Sequence, residues 1–108
     1  MSITIHLFYT GKGDAARKFA QEMETTGIAD RIRQEEGCLR YEYFLPMNDP
    51  NTVLLIDSWS CQAAIDKHHA SILMQEVAKL REKYDLHTKA QRYIREDMPE
   101  KDESFLRK

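Results

Sequence analysis

Side chains that can transfer protons or stack on aromatic rings are concentrated in one stretch of this chain. Trp59, His68 and His69 lie close together in sequence, and His6 stands near the beginning. Histidine changes its charge near neutral pH and can act as a general base. Tryptophan offers a flat apolar wall and an N–H that requires a partner when it is buried. Residues 37–71 therefore predict a pocket for a small aromatic ligand.

The helical phase of residues 61–69 separates the two neighbouring histidines. His68 falls on the apolar stripe of this predicted helix, at helical spacing from Cys61, Ala64 and Ile65. His69 is rotated from it by about 100° and is predicted to point toward the edge, which argues against a chelating pair. His68 has two interpretations: a core histidine satisfied by backbone or water, or a general base or orienting group that faces the sheet.

Trp59 and His6 also have a structural and a functional interpretation. A tryptophan at the end of a strand commonly packs in the core, but its ring can equally form the wall of an aromatic site. His6 shares a strand face with Phe8, because side chains alternate along a strand. We expect His6, Phe8, Trp59 and His68 to line one cavity between the sheet and the helices.

The chain lacks the common motifs for metals, nucleotides and covalent catalysis. It has no glycine-rich phosphate loop, no nucleophile elbow and no paired-cysteine spacing. His6 and His87 lie on predicted strands far apart in the chain, without a recognised ligand spacing. We therefore predict no metal and no cofactor, and chemistry that histidine and aromatic groups can support by themselves.

Alternating apolar residues, turn signals and helical spacing predict an ordered series of elements. Strands are predicted at residues 3–9, 39–45, 52–59 and 86–95. A first helix follows Asp14, breaks near Gly27 and resumes as far as Gly37. A short helix over residues 61–69 is predicted to be capped by Ser60, and a longer one by Ser71.

This order predicts an α+β, ferredoxin-like split βαβ fold with a four-stranded antiparallel sheet and helices on one face. The predicted domain covers residues 1–97, and residues 98–108 form a charged tail. The third strand is apolar on both faces through Val53, Leu54, Leu55 and Ile56. A second copy is therefore expected to cover the open face, which predicts a homodimer with facing sheets.

Composition excludes several classes of partner. Charged residues make up 31% and apolar residues 42%, and the net charge of −2 predicts no binding to nucleic acid or an anionic membrane. No apolar run reaches the roughly 20 residues needed to cross a bilayer. Two distant cysteines and a beginning without a basic, apolar leader predict a reduced, cytoplasmic protein.

Three segments, EEGCLRYEYF, DPNTVLLIDSW and QAAIDKHHAS, resemble the antibiotic biosynthesis monooxygenase family of dimeric ferredoxin-like domains. The likeness covers about residues 3–95. It implies a homodimeric α+β barrel and a cofactor-independent monooxygenase that joins molecular oxygen to a small hydroxyaromatic or quinol-like substrate. His68 would be the base, Trp59 an orienting wall and His6 a second polar group. The substrate would contact Phe8, Ile65 and Tyr84.

The same resemblance leaves other functions open. One branch of such proteins isomerises a small signalling metabolite, and a non-catalytic small-molecule binding protein would need the same pocket. Haem-degrading relatives place Asn where this sequence has His6, which argues against haem degradation.

Overall fold

A computed structural model describes residues 1–108. Its four strands form one antiparallel sheet in the order β2-β3-β1-β4. The strands are β1 Ile3–Thr10, β2 Cys38–Phe44, β3 Thr52–Trp59 and β4 His87–Ile94. The helices are α1 Ala15–Thr25, α2 Ile28–Arg33, α3 Gln62–His69 and α4 Ile72–Lys83, followed by a 3-10 helix, Glu100–Phe105. The predicted ferredoxin-like fold is confirmed.

The register of β1 against β3 decides which side chains enter the core. Leu7 lies opposite Leu55, and Tyr9 lies opposite Val53. Because side chains alternate along a strand, these positions share one face of the sheet. They form a single core cluster with buried side chains of all four helices. The helices therefore cover one face, as predicted.

The first helical segment forms as its spacing predicts. Its apolar stripe is buried, through Ala16, Phe19, Ala20 and Met23. Asp14 occupies the N-cap position, but its side chain makes no capping hydrogen bond. Gly27 ends this segment with φ of 83°, a left-handed conformation that favours glycine, and α2 begins directly after it.

The two later helices are α3, which carries His68, and α4, and their starts are set by different contacts. Ser71 caps α4, because its Oγ accepts a hydrogen bond from the Met74 N–H at 3.2 Å. The predicted Ser60 cap of α3 is wrong by one residue, since Cys61 holds the N-cap position. The Ser60 N–H instead donates to the Gly37 carbonyl at 2.8 Å, which ties α3 to the start of β2.

The opposite face of the sheet carries apolar side chains that no helix covers. Leu54 lies between Phe8 on β1 and Phe44 on β2, and all three are half-buried. Strand β3 is thus apolar on both faces, as predicted. Strand β4 and the 3-10 helix are exposed along most of their length. No helix in the structure has the length and apolar character needed to cross a membrane.

Candidate active site

A cavity of about 190 Å³ lies between the sheet and the two later helices. Most of its wall is apolar, and its polar groups are a carboxylate, two imidazoles and two phenols. The lining residues are Ile5, Leu7, Tyr9, Tyr41, Leu55, Asp57, His68, His69, Met74, Val77 and Ala90. A concave, mostly apolar space with a few polar groups is the usual form of a small-molecule site.

Asp57 is a buried carboxylate on the cavity wall. Only 4% of its surface is exposed. Its Oδ2 accepts a hydrogen bond from Trp59 Nε1 at 2.9 Å, whereas Oδ1 is buried without any partner. Burial raises the pKa of the Asp57 carboxyl, and this effect outweighs the opposing effects of the Trp59 hydrogen bond and the nearby His68. An unpaired buried oxygen is costly, so this position favours a ligand that can donate to it.

His68 borders the same cavity and is held from two sides. Its ring stacks on Trp59 with 4.7 Å between the centroids and 28° between the planes. Its Nδ1 lies 2.6 Å from Glu35 Oε1. A carboxylate on one ring nitrogen fixes the ring orientation and directs the other nitrogen to a different partner. The imidazole is therefore anchored through Nδ1, which leaves Nε2 for a ligand.

The sequence profile described as antibiotic biosynthesis monooxygenase matches residues 2–80. The chain belongs to the antibiotic biosynthesis monooxygenase family. No curated protein matches it.

Solved structures share the fold of this antibiotic biosynthesis monooxygenase family member. A Deinococcus radiodurans protein, provisionally described as an antibiotic biosynthesis monooxygenase, is 22% identical, with a TM-score of 0.75 over 92% of this chain and 96% of that one. SnoaB from Streptomyces nogalater, described as a cofactor-independent oxygenase, is 16% identical, with a TM-score of 0.75 over 92% and 98%. A conserved Methanosarcina mazei protein is 18% identical, with a TM-score of 0.76 over 89% and 94%.

Two of the predicted site residues of this family member lie on the wrong face of the sheet. His6 pairs with Ile56, Phe8 pairs with Leu54, and the ring centroids of His6 and Tyr93 are 4.7 Å apart. These side chains belong to the uncovered face, because the alternate positions of β1 point to the helices. The expected cavity shared by His6, Phe8, Trp59 and His68 is therefore not formed, and His6 is not a second polar group beside His68.

Two further predicted contacts lie outside the cavity wall. Ile65 is buried in the core cluster. The Tyr84 hydroxyl donates to Glu22 Oε1 at 2.6 Å, which holds this side chain between α1 and the end of α4. Of the six predicted residues, only His68 lines the cavity, and Trp59 packs against the His68 ring.

Several residues of the site were missed by sequence reasoning. Asp57 had a signal, since it shares strand phase with Leu55 and Trp59 and is a charged residue at a position predicted to be buried. No sequence signal marked Tyr9 and Tyr41 as site residues. Burial raises the pKa of Tyr9 to about 12, raises that of Tyr41 as well, and keeps both phenols protonated at neutral pH. His69 lies at the cavity as well, and its ring is 5.8 Å from that of His68.

The arrangement provides proton acceptors beside an apolar wall. Asp57 and His68 are held by Trp59 and Glu35, so both present fixed geometries. No group of three or more His, Cys, Asp and Glu side chains is gathered in a way that could hold a metal ion. Such a site can orient a small molecule that donates a hydrogen bond, and an imidazole in it can accept a proton.

Proposed function

We propose that this chain is a cofactor-independent monooxygenase that acts on a small hydroxyaromatic or quinol-like substrate. The supporting observation is the cavity in which the anchored imidazole of His68 meets an apolar wall. Membership of the antibiotic biosynthesis monooxygenase family and the fold shared with SnoaB support the same reaction class.

His68 is the proposed proton acceptor. It takes the proton of the substrate hydroxyl and leaves an electron-rich phenolate against the Trp59–His68 stack. The phenolate passes electrons to molecular oxygen. One oxygen atom then forms a bond to a ring carbon, and the other leaves as water with two hydrogens from the substrate. All the electrons that reduce oxygen come from the substrate.

Glu35 is a positioning residue in this proposal. Its Oε1 contacts His68 Nδ1, and it lies just after α2 rather than on the cavity wall. A carboxylate at Nδ1 also stabilises the imidazolium that forms when Nε2 accepts a proton.

We also propose that the protein is a homodimer in which the uncovered sheet faces pack together. Leu54, Phe8 and Phe44 supply an apolar patch across three strands, and Ile56 extends it beside His6. Burying such a patch is favourable at about 25 cal/mol per Å². Two sheets packed in this way form the α+β barrel expected from the sequence.

Oxygen consumption with a panel of phenols and hydroquinones tests the reaction. The expected result is uptake of oxygen together with transfer of one atom of isotope-labelled oxygen into the product. Product formed without oxygen would replace the proposal with an isomerase. Binding measured by quenching of Trp59 fluorescence, with no product under any condition, would replace it with a binding protein.

A further inference from the structure

The cavity beside His68 has room for only a small aromatic substrate. Its volume is about 190 Å³, and an apolar protein cavity of about 150 Å³ accommodates benzene. The extra space suffices for one or two small substituents on the ring. A second fused ring would require the packed walls to move apart, which close-packed interiors resist.

The walls of the cavity are apolar on two sides, toward the sheet and toward α4. Ile5, Leu7 and Leu55 line it from the sheet, and Met74 and Val77 line it from α4. The strands that carry the first three of these residues, β1 and β3, are joined by continuous antiparallel pairing. The volume available to a ligand is therefore set by packed side chains rather than by a loop.

The polar groups of the cavity favour a neutral hydrogen-bond donor. Asp57 Oδ2 is occupied by Trp59, whereas Oδ1 is buried without a partner. No lysine or arginine is among the lining residues. An anionic ligand such as a benzoate or a phosphate ester would meet the Asp57 carboxylate without a compensating guanidinium or ammonium group. A hydroxyl would satisfy the unpaired oxygen.

We propose that the cavity selects an uncharged single-ring phenol or hydroquinone, whose hydroxyl donates a hydrogen bond to Asp57 Oδ1. This inference deepens the proposed function and rests on it for the identity of the site. In the bound ligand the hydroxyl donates to Asp57, and when the reaction begins the same O–H proton passes to His68, which lines the same cavity. The substrate class is therefore narrower than the hydroxyaromatic compounds of any size that the fold could accommodate.

Calorimetric titration without oxygen tests this selection, because it measures binding independently of turnover. The ligands are p-cresol, p-xylene, which replaces the hydroxyl with a methyl group, 4-hydroxybenzoate, which adds a negative charge, and 2-naphthol, which adds a ring. Wild-type protein is expected to bind p-cresol at least ten-fold more tightly than each of the other three. Equal or tighter binding of 2-naphthol would overturn the single-ring selection. Equal binding of p-xylene would overturn the recognition of the hydroxyl. Equal binding of 4-hydroxybenzoate would overturn the selection against charge.

The matched variant is Asp57→Asn, which keeps the shape of the side chain but replaces one acceptor oxygen with an N–H donor. Its preference for p-cresol over p-xylene is expected to fall at least ten-fold, and an unchanged preference would overturn the role of Asp57. Thermal unfolding of the variant shows whether it is folded. Asp66→Asn, an exposed position on α3, is the control and is expected to keep the wild-type preference.

The two proposals fail separately. Selective binding of p-cresol without oxygen uptake would overturn the monooxygenase and leave this inference intact. Oxygen uptake with naphthols, together with wild-type rates of uptake by Asp57→Asn, would overturn this inference and leave the monooxygenase intact.

Discussion

Trp59 Nε1 donates a hydrogen bond to Oδ2 of Asp57, two residues earlier on the same strand, at 2.9 Å. Both side chains lie on the face of β3 that packs against the helices, and both are buried. The bond fixes the carboxylate so that only Oδ1 lacks a partner. The same indole ring stacks on His68, and Trp59 therefore contacts both the carboxylate and the imidazole that line the cavity.

The variant Asp57→Asn is expected to be more stable than the wild type at neutral pH. Burial raises the pKa of Asp57 in the folded state, so the wild type loses stability as pH rises from the unfolded-state pKa through the folded-state pKa. Asparagine carries no charge and escapes this cost. We expect a gain of about 1 kcal/mol at neutral pH, and almost none near pH 3.5, below the usual pKa of Asp.

Urea unfolding at the two pH values measures this difference. The control is Asp97→Asn, an exposed position in the tail, which should change the free energy of unfolding little at either pH. A loss of stability in Asp57→Asn at neutral pH would show that the ionised carboxylate is favourable where it lies.

Glu35→Gln is expected to lower kcat about ten-fold or more with little change in KM, because small misplacements of a reacting group are costly. The neighbouring Glu36 provides a matched control, since its carboxylate pairs with the exposed Lys67 and does not contact His68. Steady-state oxygen uptake with p-hydroquinone measures both constants. Equal losses in Glu35→Gln and Glu36→Gln would remove the positioning role.

Leu54→Arg is expected to convert the dimer to a monomer. The substitution places a charge at the centre of the uncovered apolar patch, between Phe8 and Phe44. Ile72→Arg is the control, because Ile72 is 72% exposed at the start of α4, on the helical side of the molecule. Light scattering coupled to size exclusion at micromolar concentration reports the mass. A monomeric wild type, or a dimeric Leu54→Arg, would contradict the proposed interface.

Gly37→Ala is expected to destabilise the fold by about 2–4 kcal/mol, the range of severe packing and backbone defects. Its φ is 82°, and a Cβ would lie 2.5 Å from the Ala64 Cβ on α3 and 2.8 Å from Ser60 Oγ. Gly27→Ala separates the two causes, because Gly27 has φ of 83° and no atom within 4 Å of the added Cβ. It should cost only about 1–2 kcal/mol for the left-handed conformation. Equal losses in thermal or urea unfolding would show that the α3 contact contributes nothing.

The sequence predicts the fold because local signals agree with each other. Helical spacing correctly places Phe19 and Met23 in the core and turns His68 inward. The sequence does not decide which side chains of β1 face the helices, because Leu7 and Phe8 are both large and apolar. Pairing with β3 decides between them, and it places Phe8 and His6 on the uncovered side.

The site is less predictable because its geometry depends on contacts between distant residues. The Glu35–His68 pair and the Glu22–Tyr84 pair join elements that no local pattern relates. Asp57 differs from these, since its strand phase with Trp59 could be read from the sequence. A charged residue at a buried strand position was the available signal for the polar centre of this cavity.

Oxygen uptake by two histidine variants tests the central claim most directly. His68→Gln removes the proposed base, whereas His87→Gln makes the same change at an exposed position on β4. With p-hydroquinone as substrate, His68→Gln is expected to lose about 100-fold or more in rate, the usual contribution of a general base. His87→Gln should match the wild type, and unfolding curves should show both variants folded. Wild-type uptake in His68→Gln would contradict the assignment of His68, and no uptake by the wild type with any phenol or hydroquinone would contradict the monooxygenase.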